Sequence, residues 1–193
     1  MNEIATEIDV EIEWWRPLVQ WIWCVPHLLV NGVLSGASIV VWLMSVPVVL
    51  ATGRLPRWMA SFQVLVLRER ARTFAYLFVL RRDHPPFGWS DDARSRLSVV
   101  SSEVPTVSRA RAVTRPIEVL PHALFLLPIG ACLDALYPLW MIVVAVNRGW
   151  PLGMSRTLVA IERWVVTIIL YATCASDERP TWGFEANSVV ATA

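Results

Sequence analysis

Between Arg16 and Arg54 the chain runs for 37 residues with no formal charge other than any carried by His27. As one helix this run would be about 55 Å long at about 1.5 Å per residue, nearly two hydrocarbon cores of about 30 Å each. The run therefore reads as two passes joined by a tight turn. The stretch "NGVLSGAS" at 31–38, with Gly32 and Gly36, supplies turn residues and puts the hairpin tip near 32–37. With 55% hydrophobic and 17% charged residues and 11 tryptophans, the chain lies outside the balance of a soluble globule. The expected class is an all-α integral membrane protein.

Shifting the sequence against itself by 95 residues superposes 26–89 on 121–184 without a gap, with 12 of 64 positions identical. The matches include Pro26/Pro121, His27/His122, Pro56/Pro151, Arg68/Arg163, Tyr76/Tyr171 and Pro85/Pro180. Self-similarity at a fixed offset marks a repeated supersecondary unit. The expected organisation is an acidic segment (1–15), a first repeat (16–89), a linker (90–114), a second repeat (115–184) and a tail (185–193), forming one duplicated domain. The second apolar stretch, 119–147, is interrupted only by Asp134, whose carboxylate is placed to cap a returning helix. Hairpin two is then expected at 116–131 and 134–148. Both passes are short for a full span of about 20 residues, so a hairpin that dips into the bilayer without crossing stays open beside the crossing one.

Each repeat ends in a third helix, 57–80 and 152–175, opened by Pro56 or Pro151, where a missing N–H is harmless. Arg68, Glu69, Arg70 and Arg72 stand at the middle of the first of these, and each charge at bilayer centre costs about 2.5–3.5 kcal/mol. An amphipathic interfacial helix is the cheaper arrangement, with a helix packed over its own hairpin as the alternative. None of the 17 arginines lies within 17–53 or 116–147. The positive-inside rule then places both hairpin tips outside and both termini in the cytoplasm, and two passes per repeat predict parallel rather than inverted copies.

Residues 4–14 alternate apolar and acidic, as a half-buried strand does. With the β-branched linker 97–107 they could form a small cytoplasmic β-ribbon; an acidic tail without structure is the alternative. The first 15 residues carry five acids and no base and lack an apolar core, so no cleavable signal peptide is expected. Cys24, Cys132 and Cys174 are odd in number and widely spaced, supporting neither a disulfide framework nor a CxxC metal site. All 17 basic residues are arginine, which points to a high-GC genome.

Four segments, "PHLL" inside the first hairpin, "TGRLPRW" at 52–58, "RERARTFAY" at 68–76 and "RRDHPPF" at 81–87, together resemble a bacterial membrane-protein family known as domain of unknown function 4389. The resemblance is good over roughly 7–89 and weaker over 97–184. It implies a unit present in one or two copies, frequent in actinobacteria, and transfers no catalytic residue. The second copy departs from the pattern where "NRGWPLG" lacks the arginine after proline, Thr167 replaces Arg72 and "DERPTW" stands for "DHPPF".

An ionisable residue within a membrane segment is a functional candidate by default. Gln20, Cys24, His27 and Asn31 fall on one helical face by their spacing of three and four. Glu118 precedes His122 by four residues, placing the two on one face. The functional readings are a proton or ion relay between the repeats, or haem ligation by His27 and His122. The structural reading has each imidazole satisfying a carbonyl freed by a proline kink. A second candidate is the Arg68/Arg72/Tyr76 stripe with Arg70, matched by Arg163 and Tyr171, for lipid headgroups or a partner's acidic surface; a plain solvated or snorkelling face competes with it. Asp83 and Glu178, ahead of the prolines, could pair with these arginines.

No nucleophile elbow, HExxH, Walker loop or dinucleotide fingerprint occurs, so no catalytic or metal-ligating residue is assigned. A net charge of +1 gives no basis for nucleic-acid binding. The expectation is a non-catalytic scaffold or accessory subunit of a larger complex in the bacterial cytoplasmic membrane. Its partners would be membrane lipids and other membrane subunits, since 11 tryptophans exceed what an interfacial belt on four short helices needs. The alternative is a small transporter or channel with a path between the repeats lined by His27 and His122.

Overall fold

The computed structural model describes residues 12–80, 84 and 107–182, and every regular element among them is helical. The helices are α1 (Arg16–Thr52), α2 (Arg57–Leu77), α3 (Arg109–Ala135), α4 (Tyr137–Asn147) and α5 (Leu152–Ala172). By length and composition α1 and α3 are apolar enough to cross a membrane.

The predicted first hairpin is absent: α1 is one helix of 37 residues that carries Pro26 and Pro47 inside it. Gly32 and Gly36 are helical and face open space. A turn at 32–37 would strand the backbone groups of two helix ends in apolar surroundings. An unbroken ladder satisfies nearly all of them. The chain turns instead at Gly53, where φ is 74° and a Cβ would be strained, and Pro56 starts α2 from an extended conformation.

The second hairpin is also replaced, because α3 runs through the expected tip to Ala135 with Asp134 inside it, not capping. Leu136 breaks the helix at φ −93° and ψ 5°, yet its N–H still bonds the Cys132 carbonyl and its own carbonyl accepts from Trp140 N–H. Pro138, at the start of α4, has no N–H to continue the ladder on that side. Together α3 and α4 thus occupy the place that α1 has in the first half. The proposed ribbon segments 4–11 and 97–106 lie outside the described residues. Ile12 is not in a strand, and its N–H donates to the Arg148 carbonyl at 2.9 Å.

The helices form a closed four-sided bundle: α1 packs on α2, α3 and α4, while α5 packs on α2 and α3. The long helices are sparsely covered, whereas α2 and α5 are buried over much of their circumference. Burial on several sides differs from the expected amphipathic helix with a single apolar face. In α2, Glu69 and Arg72 are both turned inward. Their burial is tolerated because they are paired, Glu69 with His27 and, at 3.8 Å, with Arg72.

Helix ends recur at a spacing of 95, since α2 spans 57–77 and α5 spans 152–172. Left-handed backbone recurs likewise at Gly53 and Arg148 and at Val79 and Cys174. The relation between the halves is antiparallel. At one end Val49, Leu55 and Met59 cluster with Val107, Cys174 and Ala175. At the other, Val144, Trp150 and Met154 cluster with Ile12, Val79 and Leu80. These are the same positions shifted by 95 and exchanged between halves. Trp150 Nε1 donates to the Phe78 carbonyl at 2.6 Å, tying the start of α5 to the end of α2. This packing does not fit the expected parallel arrangement, because the start of α3 docks beside the end of α1 rather than beside its start.

Candidate functional site: a polar seam between α1 and α2

The face formed by Gln20, Cys24, His27 and Asn31 is turned onto α2, and the first three are fully buried. Gln20 Nε2 donates to the Tyr76 carbonyl at 2.6 Å, and Cys24 Sγ lies 4.0 Å from the Thr73 carbonyl. His27 Nδ1 meets Glu69 Oε1 at 2.9 Å. Asn31 Nδ2 bonds Thr73 Oγ1 and the carbonyls of His27 and Glu69. Two turns further on, Ser38 and Gln63 bond each other. The seam thus follows from helical periodicity on α1 and a complementary row, Gln63, Glu69, Thr73 and Tyr76, on α2.

An ionised carboxylate only accepts, so Nδ1 of His27 carries the proton in this pair. The Arg72 guanidinium lies 3.8 Å from the other carboxylate oxygen. His84 closes the cluster, its ring 5.0 Å from His27 and 5.1 Å from Tyr76. The expected bond from His27 to a carbonyl freed by Pro26 is replaced by this pairing across helices.

At the 95-residue offset the second half carries different chemistry. Arg115 stands where Gln20 stands and also reaches the carbonyl of the equivalent tyrosine, with Nη1 at 3.5 Å from Tyr171 O. It further bonds the Ser176 carbonyl at 2.8 Å and the Asp177 carboxylate, and its guanidinium covers the Tyr171 ring at 4.6 Å. His122 meets Trp164, the residue equivalent to Glu69, edge-on at 5.7 Å and stacks on Trp182 at 4.1 Å. Its Nδ1 is buried without a hydrogen-bond partner. Glu118 does not turn to His122; Oε2 accepts from the Tyr171 hydroxyl at 2.6 Å and lies 3.8 Å from Arg179. Each histidine is thus held within its own half, His27 by Glu69 and His84, His122 by Trp164 and Trp182.

The arginine stripe divides. Arg72, Tyr76 and Tyr171 are buried, so they cannot offer a surface to headgroups or a partner, which corrects that expectation for these three. Arg68, Arg70 and Arg163 are half-buried. Arg70 Nε bonds the buried carboxylate of Glu162 at 3.0 Å, linking α2 to α5. Asp83 lies outside the described residues. Among the described residues no cluster of three or more histidine, cysteine or acidic side chains is placed to hold a metal.

Glu69, Arg115, Trp164 and Trp182 carry much of this site, and reading the sequence did not single them out as site residues. One signal was present: Glu69 is the only acid in α2 and is flanked by Arg68 and Arg70. A lone acid in a basic, half-apolar helix asks for an interior partner. No family model matches the chain, and no curated protein or solved structure is significantly similar to it.

Proposed function

We propose that the chain is a duplicated, membrane-embedded scaffold or accessory subunit of a larger complex in a bacterial cytoplasmic membrane, without catalytic activity of its own. The observation that carries this reading is the uncovered apolar surface of the long helices. Only 11% of the apolar window of α1 and 17% of that of α3 is buried. The core helix of a soluble protein would be mostly covered, because large exposed apolar patches mark membrane or partner contact. The duplication is supported by helix limits, left-handed residues and end clusters that all recur at the 95-residue spacing. Membership of the family of domain of unknown function 4389 is part of the proposal and is supported by the quoted motifs.

The polar seam supports a structural role in this reading, since Gln20, Cys24, His27 and Asn31 each reach across to α2, with Gln20 Oε1 and Asn31 Oδ1 buried without a hydrogen-bond partner. The transport alternative needs a path linking His27 and His122, and their separate pairing with Glu69 and Trp164 counts against it. Extraction in mild detergent, affinity capture and mass spectrometry test the proposal. A membrane protein recovered in stoichiometric amount is expected. A lone homo-oligomer whose transport activity is lost on His27→Leu would overturn it.

A further inference from the structure

We infer that the bundle lies along the membrane instead of across it, with α1, α3 and α4 sunk in one leaflet and the outer sides of α2 and α5 at the phosphate level. This rests on the membrane reading above and specifies its geometry. Three observations converge on it.

The first is length. The apolar run of α1 fills a 37-residue helix, about 55 Å against a hydrocarbon core of about 30 Å. Fitting that length across the core would need a tilt of roughly 57°, beyond the 0–40° that spanning helices adopt. A helix lying in the plane has no such limit, and its diameter of about 10–12 Å fits within one leaflet.

The second is the inversion of the halves. Leu80 clusters with Ile12 and Trp150 at one end of the bundle, and Val107 with Val49 and Leu55 at the other. Residues 81–106 join these opposite ends and include Arg81, Arg82, Asp83, Asp91, Asp92 and Arg94. Were α1 and α3 to cross the bilayer, this segment would have to cross as well, at about 2.5–3.5 kcal/mol for each charge placed at the centre. With the long axis in the plane, joining the two ends requires no crossing.

The third is the distribution of side chains around the bundle. Exposed large hydrophobic residues crowd α1, α3 and α4, whereas among the described side chains α2 exposes only Trp58 and α5 none. Arg68, Arg70 and Arg163 stand half-buried at the middle of α2 and α5, and Arg156 is exposed. Glu162, beside Arg163, is already engaged by Arg70, and Arg163 has no ion-pair partner among the described residues. A crossing bundle would leave this cation at mid-bilayer. An in-plane bundle brings it to lipid phosphates, the anions it lacks.

The test uses the full chain with Cys132→Ala and either Thr52→Cys or Asn147→Cys, exposed positions at the ends of α1 and α4 and so at opposite ends of the bundle. Intact bacterial cells and inverted membrane vesicles are treated with a membrane-impermeant maleimide, with labelling after denaturation as the reference. Both cysteines are expected to label from the same side. Labelling of the two from opposite sides would overturn the in-plane arrangement while leaving the membrane reading intact. Recovery of the chain in the soluble fraction after cell breakage would instead sink the membrane reading and this inference with it.

Discussion

Glu69 of α2 takes the Nδ1 hydrogen of His27 of α1 at 2.9 Å, with the imidazole fully buried and the carboxylate side chain 9% exposed. Removing one partner of such a pair leaves the other uncompensated, which costs about 3–5 kcal/mol. Glu69→Leu and His27→Leu should each lower the unfolding midpoint of the detergent-solubilised protein strongly. The double variant should lose less than the two together, since neither the imidazole nor the carboxylate is left facing an apolar partner. Additive losses would show that the pair is not coupled.

Gly53 and Gly32 should respond to alanine with opposite signs. At Gly53 the φ of 74° is in the left-handed region, so Gly53→Ala should cost about 1–2 kcal/mol. Gly32 is helical with open space where a Cβ would go, so Gly32→Ala should stabilise by about 0.5–1 kcal/mol. A hairpin tip at Gly32 would make that second substitution harmful, and thermal melts of both variants separate the two cases.

The stack of Trp182 on His122 pins the segment after α5 against α3. Trp182→Ala removes that stack and the edge contacts to Phe125 and Trp164, each pair contributing about 0.5–1.5 kcal/mol beyond its buried area. A glutamate-specific protease should then cut after Glu178 faster than in the unaltered protein. An unchanged cleavage rate would mean that the segment is held by other contacts, such as the approach of Arg179 to Glu118.

Thiol labelling should distinguish the three cysteines in the detergent-solubilised, folded protein. Cys132 is exposed, while Cys24 and Cys174 are buried. Burial also pushes the Cys174 thiol above its ordinary pKa, reducing the reactive thiolate. One equivalent of maleimide should be consumed per chain, at Cys132, and three after denaturation. Rapid labelling of Cys174 in the folded state would contradict the packing at the end of α5.

Much was legible locally. The face of Gln20, Cys24, His27 and Asn31 follows from a spacing of three and four, and a helix turns such residues to one side whatever they meet. The spacing of 95 likewise anticipates matching helix limits, since Pro56 and Pro151 open α2 and α5 in the same way. The turn at 32–37 was misjudged because glycine is permissive rather than directive: it allows a turn without requiring one, and an unbroken ladder leaves fewer backbone groups without partners.

By itself, then, the amino-acid sequence determined the apolar character of the chain and the periodic polar face of α1, which depend on composition and short spacings. Only the tertiary structure decided that His27 pairs with Glu69, 42 residues away, while His122 is enclosed by Trp164 and Trp182, and that the halves run antiparallel. Those outcomes depend on which helix faces which, and neighbouring residues do not encode it. It is set when the apolar ends formed around Val49 and Val144 each find the complementary end of the other half.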